Sequence, residues 1–337
     1  MLHTLESDDR RVPERAPAGE ALATLTGITK RFYGKAAIED VAFDVRAGEV
    51  HALLGENGAG KSTLCSVLAG LYRPESGEVV VGGEARSFHS PHDALSAGVG
   101  MVYQHYRLVS ELTVAENLAL GHPEVGFRLS RRALEARAQQ VMERYGMNVP
   151  VSAYVGELSV GEQQRVEILK LLAREVQVLI LDEPTAVLTP QESEVLFTAI
   201  RAMAAEGKAI VFISHKLGEV LTICDRVTVL RRGALVGSID AADADRHALA
   251  RMMVGEEAAP EVEGEGLASA EAIQRAPLPA DAARVLSVNG LRVLDDRGQE
   301  AVAGVDLHVK AGELLGVAGV AGNGQRELAE AIAGVRS

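Results

Sequence analysis

Val50-His51-Ala52-Leu53-Leu54 is a short apolar run that feeds directly into Gly55-Glu56-Asn57-Gly58-Ala59-Gly60-Lys61-Ser62-Thr63. No other stretch constrains the fold as tightly. The run reads as a buried strand, and Thr63 to Leu71 places Leu64, Leu68 and Leu71 on one face of a following helix. The loop between them fits G-x-x-x-x-G-K-[ST]. Gly55, Gly58 and Gly60 permit backbone conformations that turn successive N–H groups onto oxyanions, and the helix N-terminus faces the same way. Lys61 then brings a point charge to the β- and γ-phosphates of a nucleotide, with the Ser62 hydroxyl as a magnesium ligand. Asn57 and Thr63 complete the phosphate-binding set. The competing reading is a chance match, and the strand–loop–helix context argues against it.

A chain of 337 residues, 47% of them hydrophobic, has enough apolar material for one domain and part of another. The formal net charge of −13 argues against a nucleic-acid-binding surface. Cys65 and Cys224 match no metal or redox spacing and read as small buried apolar residues in a reducing compartment. Met1 to Glu20 has no apolar run of the kind a signal peptide needs, and no stretch reaches the roughly 20 apolar residues of a membrane span. A soluble, cytoplasmic chain is expected.

Residues 1–21 read as a disordered leader. Alternating apolar and polar residues between Ala23 and Val45 indicate half-buried antiparallel strands. Phe32 and Tyr33 lie between them; Phe32 is favoured as a stacking partner for adenine, with packing in a small sheet as the alternative. Further strands are expected at Glu78 to Val81 and Gly98 to Gln104. Ser130 is placed as an N-cap and Gly146 as a helix stop, with Leu134, Ala138, Val141 and Tyr145 sharing a face. A second helix is expected from Val160 to Arg174. Residues 110–175 thus form a helical subdomain inserted into an α/β core. Val178 to Glu183 is an apolar strand ending in two carboxylates, Asp182 for magnesium and Glu183 to polarise an attacking water; a plain turn is the alternative. Gln191 to Ala205 is read as a helix with Val195, Leu196, Ile200 and Met203 inward. Ala209 to Ser214 is a buried strand closed by His215, a candidate contact for a γ-phosphate or, failing that, a structural histidine. Val227 to Val236 forms a hairpin, a short helix ends at Gly255, and residues 256–285 are read as an acidic linker.

The chain then repeats itself. Val41 to Glu49 reappears as Val305 to Glu313, a constant offset of 264, and Gly55, Gly58 and Gly60 map onto Gly319, Gly322 and Gly324. The chemistry is not repeated, because Lys61, Ser62 and Thr63 become Gln325, Arg326 and Glu327. The second loop is expected to bind nucleotide poorly. Residues 286–337 contain no counterpart of 72–255, so a truncated second domain is expected, drawn from a protein of about 500 residues.

In order, the chain shows the phosphate loop, Gln104, Leu158-Ser159-Val160-Gly161-Glu162-Gln163-Gln164, Asp182-Glu183 and His215. That series resembles the ATP-binding subunits of ABC transporters, over residues 22–255. The segment from Leu158 departs twice from the family's commonest signature. The tandem arrangement with a degenerate second loop looks like the double-domain ATPases of bacterial sugar and nucleoside importers. Met101 to Tyr106 and Leu112 to Asn117 look most like the nucleoside branch.

The resemblance implies a P-loop NTPase core with an antiparallel β subdomain and an inserted helical subdomain, followed by the start of a second copy. It implies ATP and Mg2+ as ligands, with Ser62, Gln104 and Asp182 around the metal. Glu183 activates water, His215 senses the γ-phosphate, and Ser159 and Gly161 contact ATP held by an opposing domain, either the second one or that of another copy. Gln104 and the helical subdomain transmit closure to transmembrane permease subunits, and through them to a solute-binding protein, from the cytoplasmic face of the membrane. The Asp that often follows the catalytic Glu is replaced by Ala186-Val187-Leu188-Thr189, which weakens the expectation of that cross-domain contact. The rival readings are a soluble ABC ATPase acting on ribosomes or DNA, and a remnant that binds nucleotide without hydrolysing it.

Overall fold

The structure, a computed structural model, describes residues 19–103, 107–122, 130–255, 282–296, 298–319 and 323–336. The leader, Gln104, most of the linker and Gly322 therefore lie outside the described residues. The chain divides into two compact units, Met1–Val262 and Glu263–Ser337.

Unit 1 begins with β1 (Ala21–Phe32) and β2 (Lys35–Arg46), an antiparallel pair that sends Leu25, Ile28, Ile38, Val41 and Val45 inward. The first strand starts one residue ahead of the expected boundary. Then come β3 (Val50–Leu54), α1 (Lys61–Leu68), β4 (Ser76–Val81), β5 (Glu84–Arg86), α2 (Pro91–Ser96) and β6 (Val99–Val102). A run of helices follows: α3 (Val114–Ala119), α4 (Arg131–Tyr145) and α5 (Val160–Leu172). The chain returns through β7 (Val178–Asp182), α6 (Pro190–Ala205), β8 (Ala209–Ile213), α7 (Leu217–Ile223), β9 (Arg226–Arg231), β10 (Ala234–Asp240) and α8 (Arg246–Val254).

Two sheets result, a four-stranded antiparallel one ordered β2-β1-β4-β5 and a six-stranded one ordered β10-β9-β3-β8-β7-β6. In the second, β3, β6, β7, β8 and β9 run parallel, and only the β9–β10 pair is antiparallel. Burial on both faces is why β7 and β8 read as apolar runs, and β3 as one interrupted only by His51. Alternate residues of β3 face different clusters. Val50, Ala52 and Leu54 join Ile168, Ile200 and Met203, while Leu53 joins Leu64, Leu68 and the antiparallel sheet. Each fully buried Val, Leu, Ile or Met among them contributes about 1.5–3 kcal/mol. Among the described residues no helix is long and apolar enough to cross a membrane.

The helices between β6 and β7 are started by side chains. Thr113 and Ser159 form capping boxes with Glu116 and Glu162, and the Ser130 hydroxyl accepts from the Ala133 N–H. Gly146 ends α4 with a φ of 66°. The buried stripe of α4 is centred on Ala138, Met142 and Tyr145, with Leu134 and Val141 at its margin. Two expectations shift. The first helix starts at Lys61 and stops at Leu68, because the chain closes back on itself at Gly70 (φ 71°), with the Leu71 N–H on the Ser66 carbonyl. Leu71 is therefore left 37% exposed. Val195 is 46% exposed, one step out of phase with the face formed by Leu196, Ile200 and Met203.

A buried charged cluster ties the two sheets together. Arg226 on β9 grips Glu49 through Nε (2.6 Å) and a terminal nitrogen (3.0 Å), and Asp44 through both terminal nitrogens (2.8 Å each). Beside it His51 is 1% exposed and stacks on Phe43 with ring centroids 4.6 Å apart. Its Nδ1–H donates to the Asp44 carbonyl (2.8 Å), which leaves Nε2 to accept from the Thr228 hydroxyl (2.7 Å). Burial and the nearby Arg226 charge push the His51 pKa from 6.5 down to about 3. The unfolded chain therefore takes up a proton below pH 6.5 that the folded chain refuses until about pH 3. Stability is retained above that window and falls through it by about 1.4 kcal/mol per pH unit. Between pH 7 and pH 5 this single site is expected to remove about 2 kcal/mol, read by urea unfolding. A His51→Gln variant, less stable at neutral pH, should show a pH dependence shallower by that amount; an unchanged slope would refute the assignment.

Unit 2 contains β11 (Arg284–Leu294), β12 (Glu300–Lys310) and α9 (Gln325–Ile332). The expected boundary at 286 falls inside β11. The repeat extends to register: Leu25↔Phe43 and Ile28↔Val41 of unit 1 recur as Val288↔Leu307 and Leu291↔Val305. Gly27 and Gly290 occupy matching left-handed positions (φ 64° and 59°), and α9 starts 264 residues after α1. The likeness stops at β3. Its counterpart, residues 314–318, pairs with no strand among the described residues, and Leu314 and Val317 are 74% and 56% exposed. A central parallel strand needs neighbours on both sides, which β8 and β9 supply in unit 1.

Candidate functional site

The loops leaving the C-terminal ends of β3, β7 and β8 meet at one cavity of about 910 Å3 in unit 1. Such strand ends are where doubly wound sheets place ligands. The phosphate loop forms its floor. Gly55 (φ 149°) and Gly60 (φ 105°) are both required: a Cβ on Gly55 would collide with the Leu230 carbonyl, and one on Gly60 with Ile38 and the Ala37 carbonyl. Gly58 (φ 80°) has open space around it, so there the backbone angle alone favours glycine.

Gly60 is the N-cap of α1, and neither a capping side chain nor an acidic residue occupies the helix's first turn. The first-turn N–H groups are therefore free for an external anion. Lys61 is 7% exposed and donates from Nζ to the carbonyls of Gly55 (2.6 Å) and Glu56 (3.0 Å). Burial lowers its pKa, while Glu183 and Asp182 work to raise it.

Asp182 ends β7 and is hydrogen-bonded to the Ser62 side chain. Burial raises its pKa, and repulsion from Glu183 adds to this; Ser62 and Lys61 oppose it. A carboxylate in that state is stabilised by a cation. Glu183 follows with a φ of 49°, its N–H donating to the Ile213 carbonyl (2.9 Å). The Glu183 carboxylate meets His215 Nδ1 at 3.2 Å, and both side chains retain access to solvent.

Phe32, Ala37 and Met253 also line the cavity. Phe32 packs edge-on against Tyr72 (5.2 Å between centroids), whereas Tyr33 is fully exposed in a left-handed conformation (φ 52°). Phe32 is thus the aromatic residue of that pair that faces the cavity. Ala37 and Met253 were not singled out from sequence; nothing in the local pattern of α8 marks Met253, which is brought in by the packing of α8 on β9.

The cavity therefore collects Phe32, Gly55, Asn57, Gly58, Gly60, Lys61, Ser62, Thr63, Asp182, Glu183 and His215. It does not collect Ser159 or Gly161. Ser159 is exposed and caps α5, while Gly161 is buried against the Glu192 carboxylate. Gln104 lies outside the described residues.

The set suits a magnesium nucleotide. Uncapped N–H groups and an ammonium face an open space, with a hydroxyl and a half-buried carboxylate beside them as hard oxygen donors. Among the described residues no three His, Cys, Asp or Glu gather to hold a metal by themselves.

Residues 38–186 match the sequence model of the ABC transporter family. The chain is 45% identical over 347 residues to the glucose import ATP-binding protein TsgD13 of Haloferax volcanii, covering 94% of this chain and 61% of that protein. It is 46% identical over 318 residues to the guanosine import ATP-binding protein NupO of Bacillus subtilis, covering 94% and 60%. The chain thus spans about three-fifths of the length of these curated relatives. Among solved structures, a nucleotide-free ATP-binding cassette from an ABC transporter superposes with a TM-score of 0.60 at 25% identity, over 66% of this chain and 92% of that one. The fold, the cavity and these likenesses agree: residues 38–186 of unit 1 carry an ABC transporter domain, in a fold similar to solved ATP-binding cassettes.

Proposed function

We propose that the chain binds and hydrolyses MgATP and energises an importer of nucleosides or simple sugars. The observation that carries the reading is the meeting of the phosphate loop with Asp182, Glu183 and His215 at one cavity. The relatives' names, glucose import and guanosine import, support the solute class. Lys61 and the loop N–H groups hold the phosphates, and Phe32 with Met253 borders the base. Ser62 and Asp182 hold magnesium, which when bound screens charge between phosphate oxygens. Glu183 accepts a proton from the attacking water, and His215 steadies the Glu183 carboxylate and contacts the γ-phosphate.

Ser159 and Gly161 lie away from the cavity of their own chain and serve the nucleotide of an opposing cassette. ATP between two cassettes then favours the closed pair, and the helices between β6 and β7 pass that closure to permease subunits at the inner face of the membrane.

The test is MgATP turnover by the purified chain and a Glu183→Gln variant across a wide range of protein concentration. Loss of the general base is expected to cost about 10²–10⁴ in rate with nucleotide binding retained. Turnover should rise more steeply than linearly with concentration as Ser159 is supplied in trans. Equal turnover by the variant would overturn the reading.

A further inference from the structure

Resting on that hydrolytic reading, we propose that Glu219 is a positioning residue that locks the loop carrying Glu183 to the loop carrying His215. The two loops leave neighbouring parallel strands, β7 and β8, and the last backbone bond between them is Glu183 N–H to the Ile213 carbonyl. Beyond it the chains diverge and side chains take over. Thr185 Oγ1 donates to Glu219 Oε2 (2.6 Å), and Ser214 Oγ donates to the same oxygen (3.2 Å). The other oxygen, Oε1, meets Lys216 Nζ at 3.0 Å, and that ammonium also donates to the Thr185 carbonyl (3.1 Å). The Lys216 N–H closes the set on Ser214 Oγ (3.1 Å).

One carboxylate therefore holds a residue just after Glu183 and a residue just before His215. Thr185 and Ser214 are each 2% exposed, so their hydroxyls have little water to turn to. The catalytic pair above them is different. The His215 side chain is 57% exposed, and its 3.2 Å contact with Glu183 is not enforced by packing. Glu183 also sits at a φ of 49°, a conformation a glutamate keeps where its surroundings impose it. The Glu219 cluster holds Thr185, two residues further along the same loop. Glu219 is absent from the cavity lining, so it touches neither the nucleotide nor the attacking water and acts through the two loops.

The variants separate the contacts. Glu219→Ala removes the three contacts the carboxylate makes and leaves those of Lys216 with the Thr185 carbonyl and Ser214 Oγ. Glu219→Gln keeps an oxygen for both hydroxyls while losing the ion pair, and Thr185→Val cuts the hydroxyl bond on the Glu183 side alone. The measurements are kcat and KM for MgATP, together with hydrogen exchange of peptides covering 183–188 and 214–219, with the phosphate-loop peptide as internal reference. Glu219→Ala is expected to lower kcat by about 10- to 100-fold with KM held, and to speed exchange in both loops but not in the reference. Glu219→Gln should retain most of both, and Thr185→Val should add little to Glu219→Ala.

Unchanged exchange of the two loops in Glu219→Ala would overturn the proposal, as would loss of protection spread equally over the reference peptide. If the unsubstituted chain shows no Glu183-dependent turnover, the hydrolytic reading itself fails, and the exchange of the two loops still decides whether Glu219 joins them.

Discussion

Replacing Arg226 by Ala is expected to destabilise unit 1 by about 3–5 kcal/mol, as much as truncating a large buried core side chain. The reason is the carboxylate left behind. Glu49 has a side chain only 2% exposed, and its charge is balanced by the bidentate contact with Arg226. Asp44 is 32% exposed and can turn to water, so its share of the loss is small. The hydrogen bond from Arg226 also holds the Asp44 carboxyl below its ordinary range. Burial works against the Arg226 charge, but the bonds to Asp44 and Glu49 overcome it and keep the guanidinium charged. If the orphaned charge dominates, adding Glu49→Gln to the Arg226→Ala variant should recover part of the loss. Denaturant unfolding of the three proteins decides this; purely additive losses would contradict it.

The second large effect is on ligand binding. Lys61→Ala is expected to weaken MgATP binding by about 2–5 kcal/mol, the cost of truncating one side of a desolvated charged contact. That corresponds to roughly 30- to 5,000-fold in Kd. Without nucleotide the variant should be nearly as stable as the parent. The Lys61 ammonium contacts two loop carbonyls, and burial already disfavours its charge. Thermal unfolding with increasing MgATP separates the two, because stabilisation by ligand grows as RT ln(1 + [L]/Kd). The parent should gain stability at concentrations where the variant gains none. A variant that binds as tightly but fails to turn over would place the Lys61 contribution in the transition state alone.

Much of unit 1 was legible because its signals are local. Ser130 and Gly146 mark the ends of α4 by chemistry that acts within one helical turn, and the run from Val50 into Gly55 names its own strand and loop. The cavity was legible for a related reason: Asp182 and His215 each close a parallel strand, and parallel strands in one sheet bring their C-terminal ends to the same side. What stayed hidden depends on distance along the chain. Arg226 meets residues 177 and 182 positions away, and nothing near it announces Glu49 or Asp44. Met253 reaches the cavity through the docking of a helix whose own pattern is ordinary. Phase errors account for the rest. Val195 is apolar and adjacent to the buried stripe without belonging to it, and Leu71 follows a turn that Gly70 imposes. The segment at 314–318 repeats the apolar character of β3 and still forms no strand, since strand formation there depends on neighbours.

That segment leaves adjacent apolar side chains exposed beside an unpaired backbone. Leu314, Leu315 and Val317 are exposed, in a segment without a ladder partner among the described residues. Such an edge is a template for any strand that arrives, from another copy as readily as from elsewhere. Self-association through that edge is the expected consequence as concentration rises, and a charged replacement at Leu314 or Val317 should suppress it.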